Sequence, residues 1–166
     1  MNAADILKYG HLTVCQAIDG LPDSDWQVGG VCGVWSVRDV IGHLAAYEHV
    51  LTEVLRGFLG GGQAPHLEAF QQDPLAFNDD QAALRRDRSV QDVLAEYNDA
   101  HARNMALLPR LPPETRLRPG TLPWYGPEYA LDDFIVYQYY GHKREHSAQI
   151  DLYRDRLRRG GPPPQD

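Results

Sequence analysis

Four stretches of the chain repeat apolar residues at intervals of three and four, which is the spacing of one face of an α-helix. These stretches cover residues 3–19, 36–59, 89–108 and 131–157. Nowhere do apolar and polar residues alternate over a length that would build a sheet. We therefore predict an all-α fold, a four-helix bundle with long crossover connections.

Local sequence marks the two ends of the second helix. Ser36 and Asp39 stand three residues apart at its start, the spacing of a capping box in which each side chain bonds the other residue's backbone N–H. Three consecutive glycines, Gly60 to Gly62, are expected to end the helix, because glycine readily adopts the backbone conformation of a helix C-terminus.

The connection after the second helix loses the helical pattern. Residues 60–88 contain the pairs Ala64-Pro65 and Asp73-Pro74, which we interpret as breaks, with one short helix over residues 79–86. A connection this long is unusual in a simple bundle. It is expected to be either a crossover along the bundle or a lid over a site.

The last connection is rich in proline. Residues 109–129 hold six prolines, which favour an extended and semi-rigid backbone. Trp124 and Tyr125 lie in this segment and are expected to be substantially buried against one mouth of the bundle, because aromatic rings contribute large packing areas.

The last helix has a polar centre on its core-facing side. Two imidazoles four residues apart lie one above the other on a helix, so His142 and His146 could reach a single metal ion. They could equally be buried histidines whose nitrogens bond carbonyls or water. The residues that share this face are Leu131, Ile135, Gln138, His142, His146, Gln149, Tyr153 and Leu157.

The remaining histidines differ in helical position. His43 lies one residue off the centre of the apolar stripe of the second helix, one turn before Tyr47, and can point along the seam between two helices. His49 falls on the opposite side and is expected in solvent. His11 could face the interior, and we interpret it as a packed or partly exposed histidine, and His101 as structural or exposed.

Composition and charge restrict the class of protein. The chain has 166 residues, of which 43% are hydrophobic, and a net charge of −7, so a general affinity for nucleic acid or acidic membranes is not expected. Its N-terminus shows no export signal, which would be a basic leader followed by an apolar block. Its two cysteines form no C-x-x-C pair. We predict one cytoplasmic domain over residues 1–159 and a disordered tail over 160–166.

Two passages in this layout resemble the DinB-like superfamily of bacterial four-helix bundles, which includes the YfiT-like thiol transferases. WSVRDVIGHLAAYE at 35–48 is a Trp-Ser helix start followed by His-Leu, and GHKREHSAQI at 141–150 is a His-x3-His-x2-Gln-Ile run. The passages lie about a hundred residues apart with helix-rich sequence between them, as in that family. The overall resemblance covers roughly residues 3–158.

The resemblance implies a divalent metal, commonly zinc or nickel, held by one histidine of the second helix and two of the last. The matching positions are His43, His142 and His146. Three imidazoles leave coordination positions open, as in catalytic sites, and a low-molecular-weight thiol is the co-substrate that the transferase branches imply. The residues expected to support the ligands or to contact substrate are Gln149, Gln138, Tyr47 and Trp124.

Two functions follow from this set of residues. The first is a metal-dependent enzyme that detoxifies a small electrophile by thiol transfer or hydrolysis. The second is a non-enzymatic, stress-linked homodimer whose metal is structural or absent. A carboxylate beside the histidines would favour the enzyme, yet Glu145 is turned partly away and Glu48 is five residues from His43. The sequence leaves both functions open.

Overall fold

The computed structural model describes residues 2–160, and their regular structure is helical. These residues contain no β-strand, only an isolated bridge between Cys32 and Trp35, so the predicted all-α class is confirmed. The expected tail at 160–166 lies outside the described residues except for Gly160. Between residues 2 and 160, no helix is both long and apolar enough to cross a membrane. The helices are α1 (Ala3–Ile18), α2 (Val37–Phe58), α3 (Pro65–Gln72), α4 (Pro74–Leu84), α5 (Val90–Leu107), α6 (Pro113–Arg116), α7 (Leu131–Ile135) and α8 (His142–Arg158).

The longest helices pack in two pairs, α2 along α5 and α1 along α8. Helix α2 takes part in two separate apolar clusters, contributing residues up to Ala45 to one and residues from Ala46 onward to the other. His43 and Glu48 are buried polar residues of α2 on either side of that junction. The interior therefore contains a polar layer where the two apolar clusters meet.

The predicted start of α2 is confirmed in atomic detail. The backbone N–H of Asp39 donates to Ser36 Oγ at 3.2 Å, and the N–H of Ser36 donates to Asp39 Oδ2 at 2.9 Å. This reciprocal pair satisfies two N–H groups that the first turn of a helix leaves free. It also fixes where α2 begins, and so which of its residues face the interior.

The segment 60–88, in which the short helix expected over 79–86 overlaps α4, is more helical than predicted. Two helices occupy it, and Pro65 and Pro74 lie in their first turns. Proline is compatible with that position because the first N–H groups of a helix have no intrahelical partner. Asp73 caps α4 by accepting bonds from two of its N–H groups. The pairs interpreted as breaks are helix starts.

The last helix is not the unbroken α-helix expected over 131–157. Its α-helical parts α7 and α8 are joined by a π-helical segment, Val136–Gly141. There the N–H of His142 bonds the carbonyl of Tyr137, five residues back, so the segment holds more residues per turn than an α-helix. The π segment buries Tyr139, whose hydroxyl donates to the carbonyl of Tyr47 on α2 at 2.8 Å.

The proline-rich segment packs less deeply than predicted. Trp124 remains 37% exposed, and Tyr125 is half-buried. Both rings approach Phe134 of α7 edge-on, with centroids 5.3 and 5.0 Å away. These contacts leave more than a third of Trp124 in solvent, so the expectation that Trp124 is substantially buried was wrong.

Candidate metal site

Three imidazoles meet where the second turn of α2 faces the start of α8. The Nε2 atom of His142 lies 2.9 Å from Nε2 of His43 and 2.9 Å from Nε2 of His146. One ligand nitrogen from each of the three residues lies within 4.8 Å of the other two. A tetrahedral zinc site with bonds of about 2.0–2.1 Å places its nitrogens about 3.3 Å apart, so the two 2.9 Å separations are close to those of a metal site.

Burial keeps these imidazoles neutral. Desolvation, followed by the charges of His142 and His146, lowers the pKa of His43 to about 2. Desolvation and then His146 lower the pKa of His142 to about 3, and desolvation also lowers the pKa of His146. A neutral imidazole carries a lone pair on one nitrogen, and that is the form that binds metal.

The protonation of His146 is fixed by its neighbour. Nδ1 of His146 lies 2.8 Å from Gln149 Oε1, which can only accept, so Nδ1 carries the proton and Nε2 presents its lone pair to the other two rings. The buried Nδ1 atoms of His43 and His142 have no hydrogen-bond partner. A donor set of three neutral imidazoles, one of them oriented by a carboxamide, fits a divalent ion of the zinc or nickel type.

Aromatic side chains surround the three imidazoles. The ring of Tyr47 lies 4.7 Å from that of His43 and 4.6 Å from that of His142. Trp35 lies on the other side, its ring 5.0 Å from that of His43. The Tyr47 hydroxyl donates to Asn78 Oδ1 on α4 at 3.4 Å. His142 is the least buried of the three ligands.

The structure separates the other predicted site residues into two groups. Gln149 and Tyr47 contact the imidazoles, as described above. Gln138 is half-buried on the π segment, and its side chain interacts with the Tyr125 hydroxyl. Trp124 packs on Phe70, which in turn contacts Tyr47. Trp124 is therefore separated from the imidazoles by Phe70 and Tyr47, and the side chain of Gln138 bonds outside the site.

The remaining histidines lie away from this site. His49 is only partly exposed and bonds Glu96 Oε1 at 2.9 Å, so the expectation that it lies in solvent was wrong. His11 and His101 stack with ring centroids 3.9 Å apart. His101 is buried, which agrees with its structural interpretation.

Three neighbours of the site were missed by sequence reasoning. Trp35 was noted only as part of the Trp-Ser helix start, and Asn78 lies in a segment expected to be irregular. Arg85 packs over Gly42 on α2, and its charge contributes to the lowered pKa of His43. Only the position of Trp35 beside a capped helix start gave any signal, because the other two contacts depend on how α4 docks.

Comparison with family models gives a match to the DinB superfamily over residues 13–150. The matched range begins within α1 and ends within α8, so it contains all three histidines. No curated protein and no solved structure matches the chain.

Proposed function

Because that match spans most of its length, the chain belongs to the DinB superfamily, and on this premise we propose that it is a metal-dependent enzyme acting on a small electrophile. The observation that carries the proposal is the convergence of three neutral Nε2 atoms, from His43, His142 and His146, at one point. Among residues 2–160 no acidic or cysteine side chain completes the cluster. This arrangement leaves coordination positions for substrate, as catalytic sites do.

A divalent ion bound there would supply Lewis-acid activation of a thiol or of water at neutral pH. The chain's own residues hold and orient the reactants. Gln149 keeps His146 in the tautomer that faces the site, and the rings of Trp35 and Tyr47 offer apolar surface to a substrate. Burial raises the pKa of Tyr47, so its hydroxyl stays protonated and donates to Asn78.

The reaction proposed is thiol transfer, with hydrolysis as its counterpart when water replaces the thiol. The sulfur of a low-molecular-weight thiol forms a bond to the electrophilic carbon, and the leaving group departs with the electron pair of the broken bond. The thiol proton passes to solvent, because none of the side chains described around the site is a free base.

That lack of a base supports a second candidate, a non-enzymatic module. Among the described residues, no carboxylate lies within 4.0 Å of the three imidazoles. Glu48 is wholly buried and bonded to Lys143, whereas Glu145 is exposed. In this alternative the metal is structural or absent and the chain acts as a stress-linked homodimer. The dimer and the cytoplasmic location stay predictions, and light scattering of the purified protein tests the dimer.

We also infer that the architecture is a four-helix bundle. Helices α1, α2 and α5 and the rod formed by α7, the π segment and α8 are its four members, and the pairs α2–α5 and α1–α8 support this arrangement. The segments 59–89 and 108–130 would then be the long crossover connections.

Metal content decides the first step of the proposal. Untagged protein, purified without chelators, is expected to contain about one divalent ion per chain by mass spectrometry. His142→Ala is expected to lose it. Thiol consumption in the presence of a small alkylating electrophile should then stop on chelation and return on adding zinc. A rate that does not change on chelation contradicts the enzyme and favours the non-enzymatic module.

A further inference from the structure

A buried ion pair joins the two metal-bearing helices beside the histidines. Lys143 immediately follows His142 on α8, and Glu48 lies five residues after His43 on α2. Their side chains are 1% and 0% exposed, and the ammonium of Lys143 bonds Glu48 Oε1. Burying two charges is expensive, and replacing such a pair by apolar residues is often neutral or stabilising. Stability alone therefore does not explain this pair.

The carboxylate of Glu48 is held in one position from α5. Asn104 Nδ2 donates to Glu48 Oε2 at 2.6 Å and to the Glu48 backbone carbonyl at 2.9 Å. The hydroxyl of Thr52 donates to Asn104 Oδ1 at 2.7 Å and so orients the amide. These bonds leave Oε1 of Glu48 facing α8, where it offers one fixed point for an ammonium group.

The ammonium group of Lys143 is held as firmly as the carboxylate of Glu48. Its ammonium lies over the rings of Tyr97 and Tyr139, 5.5 and 6.0 Å from their centroids. A second bond to α2 comes from Tyr139, four residues before Lys143. Its hydroxyl donates to the backbone carbonyl of Tyr47. The two links lie on either side of His142 in the sequence, and neither uses a ligand imidazole.

We propose that the Glu48–Lys143 pair is a positioning device that sets α8 against α2 so that His142 and His146 meet His43. The inference rests on the proposed metal site. One residue along a helix is a shift of about 1.5 Å and a rotation of about 100°, whereas metal–ligand distances tolerate about 0.2 Å. Apolar burial is non-directional, so it specifies the register of α8 on α2 less sharply than a bond between two fixed charges does.

The test is a double variant, Glu48→Leu/Lys143→Met, which replaces the pair by apolar side chains and leaves no unpaired buried charge. We expect it to fold with a melting temperature near that of the metal-free wild type. Its zinc dissociation constant, measured by competition with a chromophoric chelator, should rise at least tenfold. The absorption bands of its cobalt(II) form should lose the intensity typical of tetrahedral sites. A dissociation constant within twofold of wild type, with an unchanged cobalt spectrum, overturns the proposal.

Two further variants complete the design. Glu48→Gln keeps the side-chain volume and can keep the Asn104 bond, and the same tenfold loss of affinity is expected even if the double variant does not fold. An unchanged affinity in Glu48→Gln overturns the proposal. Arg116→Met/Asp132→Leu removes an ion pair between α6 and α7 and should leave zinc affinity unchanged. Wild-type protein that binds no zinc would instead contradict the metal site itself.

Discussion

His146 donates its Nδ1–H to Gln149 Oε1 across 2.8 Å, one helical turn away. Such partners of metal-binding histidines fix the ring, and their loss typically weakens metal affinity 10–100-fold. We expect Gln149→Leu to raise the zinc dissociation constant by that factor, with little change in the melting temperature of the metal-free protein. Competition with a chromophoric chelator measures the zinc dissociation constant.

Gln138 provides the matched control for this variant. Among the described residues, no hydrogen bond joins its carboxamide to the three imidazoles, although it precedes His142 by one turn. Gln138→Leu should bind zinc as wild type does. Equal losses in the two variants would show that helix packing, and not the bond to His146, controls the affinity.

A bound metal should stabilise the fold by mass action. At a free ion concentration a hundred times the dissociation constant, the gain is about 2.7 kcal/mol, or roughly 5–10 °C in melting temperature for a domain of this size. Chelator-stripped protein is melted at pH 7.5 with and without zinc or nickel. His146→Ala should remove the increase.

His49→Ala separates packing from metal binding. Because His49 bonds Glu96, the variant should melt below wild type, yet it should keep the full increase in melting temperature on adding metal.

The increase in melting temperature on adding metal should also persist in wild type at pH 5.5. The lowered pKa values of His43 and His142, about 2 and about 3, leave few protons to compete with the metal. Identical melts with and without metal at pH 7.5 would favour the non-enzymatic module.

Metal-free protein should lose stability in mild acid. Between about pH 6.5 and pH 3, unfolded histidines bind protons, whereas His43 and His142 stay neutral in the fold. The unfolded state then binds more protons, so the free energy of unfolding decreases as pH falls. Each of the two histidines contributes at most about 1.4 kcal/mol per pH unit to this decrease in the free energy of unfolding. Urea titrations from pH 7.5 to pH 4.5 measure the slope, and His43→Leu should flatten it.

Gly10 makes the close approach of α1 to the π segment possible. A Cβ atom at this position would lie 2.5 Å from the carbonyl oxygen of Tyr139. Gly10→Ala should therefore destabilise the protein by about 1–3 kcal/mol, despite alanine's higher helix propensity. Gly57→Ala, in α2 with no atom near its added Cβ, should stabilise by up to about 1 kcal/mol. Chemical unfolding measures the free energy of unfolding of both variants. A Gly10→Ala variant more stable than wild type would contradict the close packing of α1 on the π segment.

Local signals in the sequence predicted what depends on neighbouring residues. The cap of α2 follows from the spacing of Ser36 and Asp39. Helical periodicity predicts the spacing of His142 and His146 and the interior position of His43. Contacts between distant residues were not predictable in this way. Glu48 and Lys143 are 95 residues apart, and each taken alone resembles a surface charge. Helix α3 and the first part of α4 were missed because proline was interpreted as a break when it began each helix.

The π segment has a consequence for how this helix tolerates change. An α-helix has a single phase, so turning the histidines toward a new partner would also turn Leu131 and Ile135 out of the core. Residues 136–141 separate the two phases, because a π turn takes up an extra residue without ending the helix. A change in the number of residues between 136 and 141 would therefore turn His142 and His146 relative to α7, and it would also turn the buried Ile150 and Tyr153 of α8.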